Sequence, residues 1–276
     1  MLRLRVFVFL ASAACVLGAS LPVLRVAHTG PARGQGVAAG RIYGGHDATR
    51  GEFPYLVSLK IGGMFIKRHN CGGSIITSTS VLTAAHCVSN LGSYVAVAGE
   101  LDLSTDEGTE QEARVSQMIP HPDYPSGNNV NPNDIAVFRL RTAFTFNSYV
   151  QPISLPKAGV IPTAGSSAVA SGWGVTEDSS QPDILQTVDV VIIDEATCRQ
   201  LVDNFVSENP LTDTMICTGP VTGGISLCNG DSGGPLAQNG TLIGVASWVI
   251  TPCGREGGPT MHTRVSAFLD FVNENI

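Results

Sequence analysis

Gly230-Asp231-Ser232-Gly233-Gly234-Pro235 is the run of this 276-residue chain whose reading decides its architecture. Glycines flank the serine closely, so the backbone can turn sharply and present the hydroxyl with its own N–H exposed. The amides of Gly230 and Ser232 can then point at one spot, the donor pair that stabilises the oxyanion of acyl transfer. The run also fits a G-x-S-x-G turn of α/β architecture, where a helix comes directly after the serine and the acid and histidine lie later in the chain. Glu256 and His262 could fill that order. Ser232, however, is succeeded by Gly-Gly-Pro and then by the strand-like Thr241-Leu-Ile-Gly-Val245, with Asn239-Gly240 as a hairpin turn. That succession predicts strands and argues against the α/β reading.

Working outward, short runs of β-branched and aromatic residues recur between Gly, Pro, Asn and Ser. They are Tyr55–Leu59, Ser74–Ile76, Tyr94–Val97, Ile135–Phe138, Val188–Ile192 and Thr241–Val245. The fold class this predicts is all-β. Val265, Phe268, Leu269 and Val272 have the spacing of one buried helix face, which predicts a single C-terminal helix. A body of about 235 residues suits one large β domain or two barrels of ordinary size.

The N-terminus has a different character. Arg3 and Arg5 precede an apolar stretch from Val6 to Leu17 and the small residues Gly18, Ala19 and Ser20. This is the pattern of a secretory signal over residues 1–19; a membrane anchor would need about 20 apolar residues, and Ser12 breaks this run. Residues 20–41, rich in Gly, Ala, Pro and Arg, have too few bulky side chains for a core and predict a propeptide. Cutting the signal removes Cys15 and leaves six cysteines, Cys71, Cys87, Cys198, Cys217, Cys228 and Cys253, an even set suited to disulfides outside the cell. A zinc site is disfavoured because no CxxC pair exists. The chain carries 16 basic and 23 acidic residues. Five arginines lie within residues 1–41, so the body holds 11 basic residues and sits near −12. A nucleic-acid partner would call for a basic face.

A serine hydroxyl is a weak nucleophile until an oriented imidazole takes its proton. His28 falls in the propeptide, and His46, His69, His121 and His262 sit among polar or turn residues that suggest solvated side chains. His86 lies in Thr83-Ala84-Ala85-His86-Cys87, where small neighbours allow close packing and Cys87 can anchor the segment. Asp134 opens the apolar run Ile135-Ala136-Val137, where a carboxylate needs a hydrogen-bond partner. These three motifs, in this order, resemble the trypsin and chymotrypsin family of serine proteases from Arg41 to the C-terminus.

The resemblance implies two packed antiparallel β-barrels, about 42–150 and 151–276, with a C-terminal helix. It implies His86 as general base, Asp134 as its orienter, Ser232 as nucleophile, and the Gly230 and Ser232 amides as oxyanion donors; the triad chemistry of this family is well described. It further implies a monomeric endopeptidase that needs no cofactor for catalysis, acts on protein or peptide substrates and meets protease inhibitors, with neither membrane nor nucleic acid as partner. Arg41-Ile42-Tyr43-Gly44-Gly45 resembles the family's activation site, where an activating trypsin-like protease cuts after Arg41 and the freed Ile42 amine pairs with Asp231; Tyr43 departs from the usual Val. The implied disulfides are Cys71–Cys87, Cys198–Cys217 and Cys228–Cys253. The implied substrate pocket has Ser226 at its floor, where trypsin-like members carry Asp. Val249, in the substrate-binding run Ser247-Trp248-Val249, and Thr260 correspond to its walls, as in elastase-like members that accept small aliphatic side chains; a chymotrypsin-like preference for larger apolar residues is the alternative, and a non-catalytic homologue that binds a partner is the rival. Glu100, Glu107 and Glu110 match the spacing of the family's calcium loop, and Asn239-Gly240-Thr241 is a glycosylation sequon.

Overall fold

The computed structural model describes residues 44–63, 66–125, 130–177 and 181–276. The leader, the propeptide, Arg41 and Ile42 lie outside the described residues. Six strands close the first barrel in the order β2 (Leu56–Gly62), β3 (Lys67–Thr77), β4 (Ser80–Thr83), β7 (Ala136–Leu140), β6 (Gln111–Pro120) and β5 (Ser93–Ala98), with β5 returning to β2. The period-2 rule shows how the residues select this arrangement. In β2, Val57 and Leu59 enter the core while Ser58 between them turns to hydrogen-bond His69. In β6, Ala113 is buried between exposed Glu112 and Arg114.

The second barrel joins β8 (Ser167–Gly172), β9 (Gln186–Ile193), β10 (Met215–Gly219), β13 (Thr260–Arg264), β12 (Thr241–Val249) and β11 (Pro235–Gln238), closed by the β8–β9 pairing. A short β1 (His46–Asp47) adds to its β9 edge. Closure leaves few open edges that could pair with other chains. Asn239 (φ 49°) and Gly240 (φ 73°) make the two-residue turn between β11 and β12, with Gln238 paired to Thr241. Both central residues are left-handed, as a type I′ hairpin requires, and both are exposed, so the sequon is accessible.

Each barrel has its own core. Ile75, Leu82 and Phe138 belong to the first, and Val188, Val190, Ile192 and Leu236 to the second. Truncating a fully buried ring such as Phe138 removes about 3–5 kcal/mol. The C-terminal segment is a 3-10 turn, Val265–Ala267, which leads into α2 (Leu269–Glu274). Val265, Phe268 and Val272 bury into the first barrel's core, so the end of the chain clasps the two barrels. A second helix, α1 (Glu195–Asp203), adds to the one expected at the C-terminus. It is capped by the Asp194 carboxylate, which accepts from Thr197 N at 2.9 Å. Only Cys198 and Val202 are buried along it, too short a stripe for periodicity to reveal. No helix among the described residues is long and apolar enough to cross a membrane.

Candidate active site

The first barrel positions a base and a carboxylate. After β4 the chain makes a 3-10 turn at Ala85–Cys87, and Cys87 is bonded to Cys71 of β3, fixing the backbone beside His86. Asp134 immediately precedes Ile135 and strand β7. Its Oδ1 accepts from His86 N at 2.9 Å and its Oδ2 from His86 Nδ1 at 2.7 Å. Ser247 Oγ of β12 donates to the same Oδ2 at 2.5 Å, and Thr263 Oγ1 of β13 donates to the Asp134 carbonyl at 2.8 Å. The carboxylate is thus satisfied by both barrels. Because a carboxylate can only accept, it sets Nδ1 as the protonated ring nitrogen and leaves Nε2 free to take a proton.

The second barrel carries Ser232 on the turn before β11, held against the first by Gly72 N donating to Ser232 O at 2.8 Å. Gly233 has φ 76°, and a Cβ there would strike Thr83 Oγ1. This glycine therefore serves both backbone conformation and barrel contact. Gly230 (φ 104°) and Ser232 donate their amides to no other described group. Ser232 and His86 line one cleft of about 450 Å³. Among the described residues no hydrogen bond joins His86 to Ser232 Oγ, a link that commonly tightens with substrate in place.

Two histidines correct the expectation of solvated side chains. His69 is partly buried and packs against Trp173, with ring centroids 5.3 Å apart. Its Nε2 meets the Gly230 carbonyl at 2.9 Å and its Nδ1 meets Ser58 Oγ at 2.8 Å. Since a carbonyl only accepts, Nε2 carries the hydrogen and Ser58 donates to Nδ1. Burial pushes the ring down to about 4, so it is neutral at pH 7 and pins the Gly230 peptide without adding charge. His262 is fully buried, its Nε2 3.1 Å from Thr218 Oγ1, and burial pushes it down to about 3. Neither position was legible because the partner of each ring, the Gly230 carbonyl or Thr218, lies far away in the sequence. His46 is exposed, and His121 packs on Phe268 and Phe271. With His262 on Thr218 and Glu256 exposed, the α/β-type order has no geometry to support it.

Asp231 is buried in a cradle that only glycines permit, since a Cβ on Gly172 or Gly174 would strike its carboxylate. Oδ1 accepts from Gly174 N at 2.8 Å and Oδ2 from Cys228 N at 2.9 Å. Burial pushes the group up to about 7 despite those amides. Gly172-Trp173-Gly174 was missed in the sequence; a glycine pair flanking a buried Trp is its signal.

The cleft continues from Ser232 past Ser247, Trp248, Val249 and Thr260. Ser226 does not line it. Buried behind, its Oγ donates to Leu227 O at 2.6 Å and lies 3.4 Å from Thr260 Oγ1. Val249 and Thr260, paired across β12 and β13, line the cleft, and Thr260 adjoins the buried Ser226 that was expected to be its floor. Cys228–Cys253 ties the pocket's two sides, and Cys198–Cys217 ties α1 to β10. Cys71, His86 and Cys87 are the one trio of metal-ligand types gathered among the described residues, and with both sulfurs in a disulfide no thiolate is available to a metal.

Among the described residues Glu100, Glu107 and Glu110 are not gathered as a metal-ligand group. Lys60 Nζ lies 2.5 Å from Glu100 Oε2, Arg50 pairs with Glu107, and the Glu110 carboxylate accepts from the amides of Glu107 and Thr109. Side-chain cations thus neutralise two of the three carboxylates that the spacing offered to calcium.

Two barrels meeting at a serine, an imidazole and a buried carboxylate define the double-barrel serine hydrolases. The sequence pattern described as Trypsin matches residues 42–272. Trypsin-1 of Astacus astacus is 40% identical over 244 residues, covering 85% of this chain and 99% of its own. Trypsin I-P1 of Gallus gallus is 38% identical (84% and 88% covered), and Trypsin of Sus scrofa is 35% identical (86% and 96%). The chain belongs to the trypsin family and is a serine endopeptidase.

Proposed function

We propose that this chain is a secreted precursor, activated by cleavage after Arg41, whose Ser232 attacks peptide bonds on the C-terminal side of small aliphatic residues. His86 takes the Ser232 proton and returns it to the leaving amine, and Asp134 holds the ring in the required tautomer. The amides of Gly230 and Ser232 receive the charge that develops on the carbonyl oxygen. An acyl-enzyme forms and is hydrolysed; nucleophile, base and oxyanion donors all come from the chain itself. Secretion is supported by the leader composition together with three disulfides.

Activation centres on Asp231. A buried carboxylate with two amide donors is still costly to ionise, and a freed Ile42 amine would supply the missing cation. A free α-amine has a reference pKa of about 8. The cut enzyme therefore loses activity in alkali as that amine deprotonates.

The observation that carries the specificity is the pocket wall of Val249 and Thr260 beside Ser226. The one acid on the cleft's lining, Asp231, has its carboxylate turned onto the amides of Gly174 and Cys228. A Lys or Arg side chain would enter without a counter-charge. The name of the relatives favours Arg or Lys and is the second reading. A peptide library offered to chain cut by a trypsin-like protease decides between them. Cleavage after Ala, Val or Leu supports the proposal, and cleavage chiefly after Lys or Arg overturns the pocket argument. In the same assay a fluorophosphonate probe should label Ser232 in cut wild type and only faintly in Arg41→Gln; equal labelling would overturn the activation step.

A further inference from the structure

The 11 basic residues beyond Arg41 are mostly engaged. Arg50, Lys60 and Arg199 sit in ion pairs with Glu107, Glu100 and Glu195. Arg139 and Arg264 donate to carbonyl or hydroxyl oxygens, and Arg255 lies 4.5 Å over the Phe205 ring. Lys67, Arg68, Arg114, Arg141 and Lys157 make no side-chain ion pair or hydrogen bond among the described residues. Three of those five, Lys67, Arg114 and Arg141, line a single concavity of about 290 Å³ on the outside of the first barrel.

Strand pairing builds this concavity. Lys67 opens β3, Val95 of β5 lies opposite Arg114 of β6, and Arg141, just past β7, donates its backbone N–H to Arg114 O at 2.8 Å. Glu112 shares the outer face of β6 with Arg114 and also lines the space, but among the described residues it forms no ion pair with any of the three cations. The local balance is two positive charges on a body near −12. Isolated surface cations are ordinarily just solvated. Here three of one sign converge on a hollow, and an incoming anion relieves their mutual repulsion. Beyond a Debye length of about 8 Å at physiological ionic strength the acidic surplus of the rest of the surface is screened, so the local sign governs close approach.

We infer that this concavity is a secondary docking site for an acidic, extended segment of a protein substrate, separate from the cleft. Glu112 among the cations disfavours a densely charged polyanion such as a sulfated glycan. A peptide can place its carboxylates on the three cations and a neutral residue against Glu112. Lys67 lies on the strand that runs to Cys71, whose disulfide to Cys87 adjoins His86, so a segment bound here shares a barrel wall with the base.

The test uses the full chain with Ser232→Ala and a fluorescein-labelled peptide rich in Glu and Asp, read by anisotropy, so that binding is measured without cleavage. Arg114→Glu/Arg141→Glu should weaken binding about ten-fold, equivalent to ~1.4 kcal/mol. Raising NaCl from about 50 to about 300 mM should weaken the unreversed surface more than the reversed one. The milder Arg114→Gln/Arg141→Gln pair, with an unchanged melting temperature, guards against a folding defect and should fall between. In activated enzyme with Ser232 intact, a short chromogenic peptide should be cleaved equally by both surfaces, while a substrate extended by the acidic segment should lose its KM advantage in the reversed one. Equal peptide binding by all surfaces overturns the proposal, as does a heparin fragment binding here when the acidic peptide does not. If activated enzyme cleaves nothing, the peptidase reading falls while the anisotropy arm still decides this one.

Discussion

Asp134 and Asp231 are both almost fully buried, 4% and 1% exposed, yet the protein treats them differently. Asp134 receives a ring N–H, a main-chain N–H and a hydroxyl, contributed by both barrels. Asp231 receives two amides inside a glycine cradle, and burial still holds it near 7. Folding the two barrels completes the first carboxylate. The second has two amide donors and no side-chain cation among the described residues, and the proposed activation would supply that cation.

The contrast breaks first at Asp134. Asp134→Asn keeps the shape but offers an NH2 in place of an acceptor, so the imidazole turns to the wrong tautomer. The expected loss of kcat is about 10⁴-fold, the size already known for this change in the family's triad. A loss under ten-fold would show that Ser247 and the backbone orient His86 without the charge.

Asp231→Asn should cost less, about 10²–10³-fold in kcat, because it disturbs the oxyanion donor Gly230 and leaves the nucleophile intact. The KM for a short peptide should move much less than kcat. If KM rises instead, the residue supports the pocket and not the oxyanion site.

Stability against pH sharpens the comparison further. The folded-state pKa of Asp231 is raised above its ordinary 3.8, so the fold prefers the protonated acid. Its contribution is full below about pH 4 and is lost as pH rises through about 7. The uncut Arg41→Gln chain should therefore melt about 5 °C lower at pH 8 than at pH 5 from this group. The difference should vanish when Asp231→Asn is added. An identical pH slope in both chains would mean that the carboxylate is already paired before cleavage.

The same physics set how far the sequence reached. The strands were readable because alternation and turn residues act locally, as at Val57, Leu59 and the Asn239-Gly240 hairpin, whereas their division into two barrels came from the family resemblance alone. The stretches carrying His86 and Ser232 stood out for the small residues around them, whereas Asp134 gained its role only from the resemblance of all three motifs in order. His69 and the Gly172–Gly174 cradle did not stand out, since their meaning lies in what the other barrel or a distant loop places against them. Ser226 shows the limit most plainly. Counting from Ser232 located it, but whether it faces the cleft depends on the bulk of Thr260, thirty-four positions away.

A third buried carboxylate extends the comparison and carries the smallest expected effect. Glu100 is pushed up by burial and by Glu110 and Glu107, while Lys60 pulls it down. Its Oε2 touches the ammonium without an aligned hydrogen bond, a pairing more ionic than directional. Asp134 is held by neutral and ring donors, Asp231 by amides alone, and Glu100 by a resident cation. Where lysine already neutralises the loop, calcium has little to add, so a chelator should move the melting temperature by less than about 1 °C. Lys60→Met removes that cation and leaves the three glutamates repelling one another. In that variant millimolar calcium should raise the melting temperature by several degrees, because the hard oxygen donors Glu100, Glu107 and Glu110 then lack a competitor at Glu100. A large chelator effect on the unaltered chain would instead mean that Lys60 yields its place to the ion.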